Sequence, residues 1–191
     1  MSRVVVHADE ACLGNGTEPP NPGGAGGLIE VVKSGGAVER RDYFDAEPDT
    51  TNNRMALRSA TLALELLGAR GRPVAVRFVS DSQYLVKGMR EWVPAWRARG
   101  WKRKQGDRLV DPVNLELWRR LVALTEGHEV EWHWVRGHAG HAKNEYANFL
   151  ATRAAQDQHA SGGLVASGLL EWLAGEREKG RYVDFDPDRL D

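Results

Sequence analysis

A single cysteine, Cys12, stands in 191 residues. No disulfide framework can form within the chain, and a reducing compartment is the simple expectation. Long apolar runs are missing too: nothing approaches the roughly 18 residues needed to span a bilayer. Met1-Ser2-Arg3 and the brief Val4-Val5-Val6 run are too short for a signal-peptide apolar region and carry no small-residue cleavage site. These absences predict a cytoplasmic protein with no membrane partner. Nor does one sign of charge dominate. The 26 Lys+Arg and 27 Asp+Glu leave a formal net charge of −1, so no global basicity announces a nucleic acid. The imbalance is local: residues 90–108 hold seven Arg/Lys against two acids, while residues 171–191 hold seven acids against four bases. Internal repeats and low-complexity tracts are absent.

What is present reads as an α/β domain. Val4-Val5-Val6 running into His7-Ala8-Asp9 predicts a short buried strand with a polar group at its C-terminal end. The Gly- and Pro-rich stretch 14–27 reads as a turn. Residues 28–33 and 37–44 flank Ser34-Gly35-Gly36 as arms of a hairpin, completing a three-strand meander. Residues 50–67 are helical in composition, with Thr50, Thr51 or Asn52 available as cap and Gly68 as stop. Behind Pro73, the continuous apolar run 74–79 suits a strand covered on both faces. Helices follow from Ser82, near Trp92 and over 113–124, the last with Asp111 as cap and Pro112 close behind it. Residues 129–135 alternate as a fifth strand, and 142–155 form a helix packing back on the sheet. The order β-β-β-α-β-α-β-α predicts a five-stranded mixed sheet flanked by helices. Composition changes after Ala155. Residues 1–155 are therefore expected to form the domain, and 156–191 a polar linker, a short amphipathic helix over 164–173 and an acidic tail.

Two acids carry the chemistry. Asp9 ends one central strand, and Ser80-Asp81-Ser82 ends another. Paired strands lie about 4.8 Å apart, so the two carboxylates come close if these strands are neighbours. Carboxylates that close repel unless protonated or bridged by a cation, and hard oxygen ligands suit Mg2+. Read alone, each acid could equally be a solvated turn residue, and Asp81 a helix cap.

Four strings make the reading specific. Asp9-Glu10-Ala11-Cys12-Leu13-Gly14-Asn15, Thr51-Asn52-Asn53-Arg54-Met55, Ser80-Asp81-Ser82-Gln83-Tyr84 and Trp134-Val135-Arg136-Gly137-His138-Ala139-Gly140-His141 resemble the type 1 ribonuclease H family, in its order and spacing. The resemblance implies a ribonuclease H-like fold. It also implies Mg2+-dependent (or Mn2+-dependent) endonucleolytic hydrolysis of the RNA strand of an RNA–DNA hybrid, with two ions held by four carboxylates. Asp9 and Asp81 match two of these, and His138 matches the loop histidine that assists proton transfer or product release. The other two positions depart from the family: Ala56 stands where a Glu is expected, and Asn148 where an Asp is expected. Asn148 keeps a carbonyl oxygen and Ala56 keeps nothing, so the expectation is a weakly bound metal and catalysis that is weak or absent. Losing even outer partners of a metal site costs about 10–100-fold. Glu10 is set aside as a replacement because neighbouring strand residues point to opposite faces. Glu145, three residues before Asn148 on one helix face, is kept as the candidate substitute.

The resemblance extends to the substrate grip. Asn53 and Gln83 match amides that reach minor-groove edges, and Asn15 a third, with Asn21-Pro22-Gly23 as a rival alignment. Thr51 matches a hydroxyl that holds a DNA phosphate. Trp92, Trp96, Arg97, Arg99, Trp101, Lys102, Arg103 and Lys104 resemble the family's basic protrusion, where cations neutralise phosphate beside rigid indoles. An RNA–DNA hybrid recognised by groove shape and 2′-hydroxyls is the implied partner of a monomeric protein. Three readings stay open: an active enzyme with an altered ligand set, a hybrid-binding protein without catalysis, and an active sequence disabled on purpose.

Overall fold

The computed structural model describes residues 3–14, 16–33, 35–69, 71–137 and 139–190. It opens with an antiparallel meander, β1 (Arg3–Cys12), β2 (Gly23–Val32) and β3 (Val38–Glu47). Helix α1 (Asn52–Gly68) crosses over to β4 (Ala75–Ser80), which lies parallel to β1. A helical stretch follows: α2 (Gln83–Lys87), one π-helical turn (Gly88–Trp92) and α3 (Val93–Arg97). A small hairpin, β5 (Arg103–Gln105) and β6 (Arg108–Val110), precedes α4 (Leu115–Thr125), and β7 (Glu129–Trp134) then joins β4 in parallel. Helix α5 (Ala142–Asp157), β8 (Val165–Ala166) and α6 (Leu169–Glu178) complete the chain. The main sheet has the order β7-β4-β1-β2-β3-β8.

This is the predicted mixed α/β sheet with helices on both faces. Alternation along β1 divides it: Val4, Val6 and Ala8 join Ala56, Leu57, Ala60 and Leu64 of α1 in the larger core. The opposite face meets α5 and α6, where Leu28, Tyr146, Leu150 and Leu169 form a second cluster. Thr51 is the cap of α1, its Oγ1 accepting from the Arg54 amide at 3.3 Å.

Four expectations need correction. The stretch 14–27 is not all turn, since β2 begins at Gly23. Its glycines serve close approach instead: a Cβ on Gly26 would lie 2.5 Å from the Ala151 nitrogen, and one on Gly24 would overlap the Ala151 carbonyl. The sheet has six strands rather than five, because the segment after Ala155 supplies β8, paired to β3 through Arg41 and Asp42. The late helix spans 169–178 rather than 164–173, starting at Gly168, whose amide donates to the Asp42 carboxylate at 3.0 Å. Asp111 does not cap α4. Asn114 takes that position with left-handed backbone, and Asp111 pairs with Lys102 at 2.7 Å. Among the described residues, no helix is long and apolar enough to cross a membrane.

Candidate active site

β1 and β4 run side by side in parallel, with Ala8 opposite Ser80. The residues just past this last pair, Asp9 and Asp81, therefore meet at one hollow, although β1 does not end at Asp9 but runs on to Cys12 beside β2. Asp9 is nearly buried and faces α5, where the Asn144 side-chain amide donates to its Oδ2 at 3.3 Å. Its Oδ1 accepts from the Glu10 backbone amide at 2.7 Å. Asp81 is fixed by its surroundings: Trp134 Nε1 donates to its carbonyl at 2.9 Å. A Cβ on Gly137 would overlap its carboxylate, so the loop after β7 needs glycine there.

Glu10 overturns the reasoning that set it aside. Carboxylate oxygens of Asp9, Glu10 and Asp81 all lie within 4.8 Å of one another. Alternation along β1 does hold: Glu10 leaves the strand on the face of Ala8, which packs with Ala56 of α1. That is the side from which an acid at position 56 would have come. Past the last pair of β1 with β4, a glutamate arm reaches round to the same hollow. Ala56 is only 1% exposed and belongs to the apolar core, so the missing helix acid leaves no gap. A severely weakened centre, resting on two charges, is not supported. Glu145 lies outside this trio of acids; it is half-buried in the first turn of α5. The half-buried Asn148 sits one helical turn beyond Asn144. His138 and Asn15 lie outside the described residues.

The electrostatics fit a cation site. Burial first, and then the charge of Asp81 with a smaller push from Glu145, raises the Asp9 pKa from 3.8 to about 8, with the Glu10 amide opposing. Burial, followed by the charges of Asp9 and Asp81, raises Glu10 well above the usual range, against the Ser82 hydroxyl. Three acids that cannot ionise together unaided are what a divalent ion relieves. In addition, Asn144 Oδ1 is buried without a hydrogen-bond partner, a further oxygen at the rim of the site. The residues present suit a hard cation such as Mg2+.

Around this centre the expected grip residues divide into two sets. Thr51, Asn53 and Gln83 are exposed at the starts of α1 and α2. Asn21 is instead tied into its own loop, its side chain bonded to Thr17 and its amide to Asp49. On the protrusion, Trp96 is buried at 9% exposure and supports rather than touches solvent. It packs with Trp92 and Trp118, and Tyr84 packs on those same two rings. Gly88 is small because Trp118 fills the space of its Cβ. Tyr84, Trp92, Trp96, Arg103 and Val113 line an open groove on this surface. Arg97 and Lys102 pair with Glu126 and Asp111, Arg119 stacks over Trp101 at 5.5 Å, and Arg99 and Lys104 are exposed. Such exposed pairs are worth about 0–1 kcal/mol, so a phosphate can take their place.

Comparison with known proteins agrees with this geometry. The RNase H family model matches residues 1–156. A ribonuclease H of Syntrophotalea carbinolica is 47% identical over 156 residues, covering 82% of this chain and 93% of that protein. Ribonuclease HI of Caulobacter vibrioides is 44% identical over 150 residues, covering 78% and 90%. Among solved structures, LC9-RNase H1, described as a type 1 RNase H with the type 2 active-site motif, superposes with a TM-score of 0.83. It is 55% identical, with 91% of this chain and 81% of that one covered. A fold, a carboxylate centre and a family match that agree over the same residues leave one assignment: this chain belongs to the ribonuclease H family.

Proposed function

We propose that the chain is an active hybrid endoribonuclease that hydrolyses the RNA strand of an RNA–DNA hybrid with an altered set of metal-binding side chains. The observation that carries this reading is the convergence of Asp9, Glu10 and Asp81. Those three would hold Mg2+ or Mn2+, with Asn148 as a neutral fourth position, and the likeness to LC9-RNase H1 with its type 2 motif supports the same reading. Divalent ions, when bound, activate the attacking water and offset charge at the leaving oxygen. The protein's share is preorganisation. Asn144 orients the Asp9 carboxylate, the Glu10 amide fixes its other oxygen, and Gly137 leaves room for Asp81.

The hybrid lies across the exposed Thr51, Asn53 and Gln83, with its DNA strand on the protrusion around Trp92, Arg97, Arg99, Trp101, Lys102, Arg103 and Lys104. Such a grip depends on phosphate charge and weakens with salt. His138 assists proton transfer or product release from its Gly-flanked loop. Residues 1–155 carry the catalytic machinery, 156–191 extend its sheet and core with β8 and α6, and the protein acts as a cytoplasmic monomer.

The test is cleavage of an end-labelled RNA–DNA hybrid with Mg2+ or Mn2+, by the unmodified chain and by Glu10→Gln. The unmodified chain cuts the RNA strand, and Glu10→Gln loses at least about 100-fold, the upper end of what an outer partner costs. Hybrid binding without cleavage by the unmodified chain refutes the proposal, and so does full activity of Glu10→Gln.

A further inference from the structure

The C-terminal segment ends on the helix that orients Asp9. Glu30 of β2 is wholly buried at 0% exposure and bonds two cations, Arg40 Nε at 2.9 Å and Lys143 Nζ at 2.8 Å. His7 Nε2 stands 3.6 Å from the same carboxylate. Three groups of the C-terminal segment close the cluster. The Pro187 carbonyl and the Asp188 carboxylate accept from Arg40 Nη2 at 2.6 and 2.7 Å, and the Arg189 carbonyl accepts from Lys143 Nζ at 2.8 Å. The family match stops at residue 156, so this lid comes from outside it.

Lys143 is an unexpected residue at its position. It is 2% exposed, and it sits in the first turn of α5, where the helix dipole disfavours a cation. The helix start also has no side-chain cap, since His141 makes no capping bond. Beside its packing on the sheet, this turn is tied by the bonds from Lys143 to Glu30 and the tail, and by the bond from Asn144 to Asp9. The two residues are adjacent on one rigid turn. A buried ammonium needs partners for its donors, and Lys143 finds them in Glu30 and the Arg189 carbonyl, which together pin the turn.

We propose that residues 187–189 are a latch that positions the metal centre: seated on Arg40 and Lys143, the tail fixes the first turn of α5 and thereby Asn144 against Asp9. Lys143 is a positioning residue, touching neither metal nor substrate. The inference rests on the carboxylate centre proposed above. Its test is arranged so that the latch can be judged even if the chain cuts no hybrid.

Four proteins are compared with the unmodified chain: one ending at Asp186, Lys143→Gln, their combination, and Asp184→Ala as a tail control. Mn2+ affinity is titrated by the loss of free-ion paramagnetic signal, and amide hydrogen exchange is followed at Glu145–Ala147 in metal-free protein. The shortened chain and Lys143→Gln each weaken Mn2+ binding by about 5–10-fold, below the usual range for an outer partner because the latch lies one step further out. Exchange at 145–147 accelerates, the combined variant adds nothing to either change, and Asp184→Ala matches the unmodified chain. In cleavage, the half-saturating Mg2+ rises while the rate at saturating Mg2+ stays within about twofold. Unchanged Mn2+ affinity on shortening overturns the latch. Exchange that accelerates throughout the sheet overturns it as well, since the tail would then be a general stabiliser.

Discussion

The Gly26→Ala substitution tests whether the sheet sets the position of the active-site helix. A Cβ at this position lies 2.5 Å from the Ala151 nitrogen and 2.8 Å from the Ala147 carbonyl oxygen, both backbone atoms of α5. No side-chain rotation relieves that overlap; the helix must back away by about 1 Å to recover van der Waals contact. The Asn144-to-Asp9 bond, already 3.3 Å, then passes out of hydrogen-bond range. Overpacking of this kind costs about 1–3 kcal/mol, and each kcal/mol lowers the melting temperature of a domain this size by about 2–4 °C. Loss of the Asp9 orienter adds a fall in Mg2+ affinity of about 10-fold or more. Thermal melts and Mg2+-dependent hybrid cleavage are the assays, with Gly35→Ala as control because nothing lies near its Cβ. If Gly26→Ala melts and cleaves like the unmodified chain, α5 is not held by the glycine contacts, and the chain of reasoning from β2 to Asp9 fails.

Two further predictions concern charge. With its pKa near 8, Asp9 is about 90% protonated at pH 7, so metal binding must expel that proton. Mg2+ affinity should climb about tenfold per pH unit per proton up to about pH 8, and titration calorimetry in buffers of different ionisation heat should register release. Folding raises this pKa above 3.8, so the stability of metal-free protein should fall as pH rises from about 4 to about 8; zero proton release at pH 7 contradicts both statements. Finally, Glu10→Ala/Ala56→Glu should retain cleavage that Glu10→Ala alone abolishes. Ala56→Glu alone, placing another carboxylate at a 1%-exposed position, should lower metal-free stability by on the order of 3 kcal/mol in a thermal melt.

Much of this molecule is legible in its sequence, and the failures have physical causes. The meander, a cap among Thr50, Thr51 and Asn52 (the structure uses Thr51), the strand at β4 and the helix over α5 follow from alternation, capping chemistry and apolar runs. So does the meeting of Asp9 with Asp81, because polar residues just past the last pair of two parallel neighbours share one edge, even though β1 itself runs on to Cys12. Gly24 and Gly26 mislead because glycine reads as turn, whereas here they answer to α5, more than 100 residues away in sequence, while Gly23 makes room for Thr50 and Met55 and Gly27 for the Tyr43 ring. The rigid indoles read beside the protrusion's cations include Trp96, but the partner that buries it, Trp118 of α4, carries no local signal. The latch of residues 187–189 leaves no local signal at all: only the burial of Lys143 and Glu30 reveals it.

Glu10 is the more instructive failure. The rule that successive strand residues face opposite ways is obeyed, and the conclusion drawn from it was still wrong. Facing describes the direction of a Cβ within a sheet, but this centre sits past the end of β4 and of its pairing with β1, where both faces open onto one hollow. Asp9 reaches it from the α5 side with one methylene, and Glu10 from the α1 side with two. The acid is thereby carried by a strand held between β2 and β4 instead of by α1. That transfer frees position 56 to be core, and Ala56 packs against the same α1-facing layer as Ala8. It also explains why the absence of an acid at 56 does not amount to a loss. A carboxylate there, together with Glu10, would place two acids in one space and add repulsion to the burial that chiefly holds Asp9 near a pKa of 8. In this chain Glu10 joins Asp9 and Asp81, and Ala56 fills core.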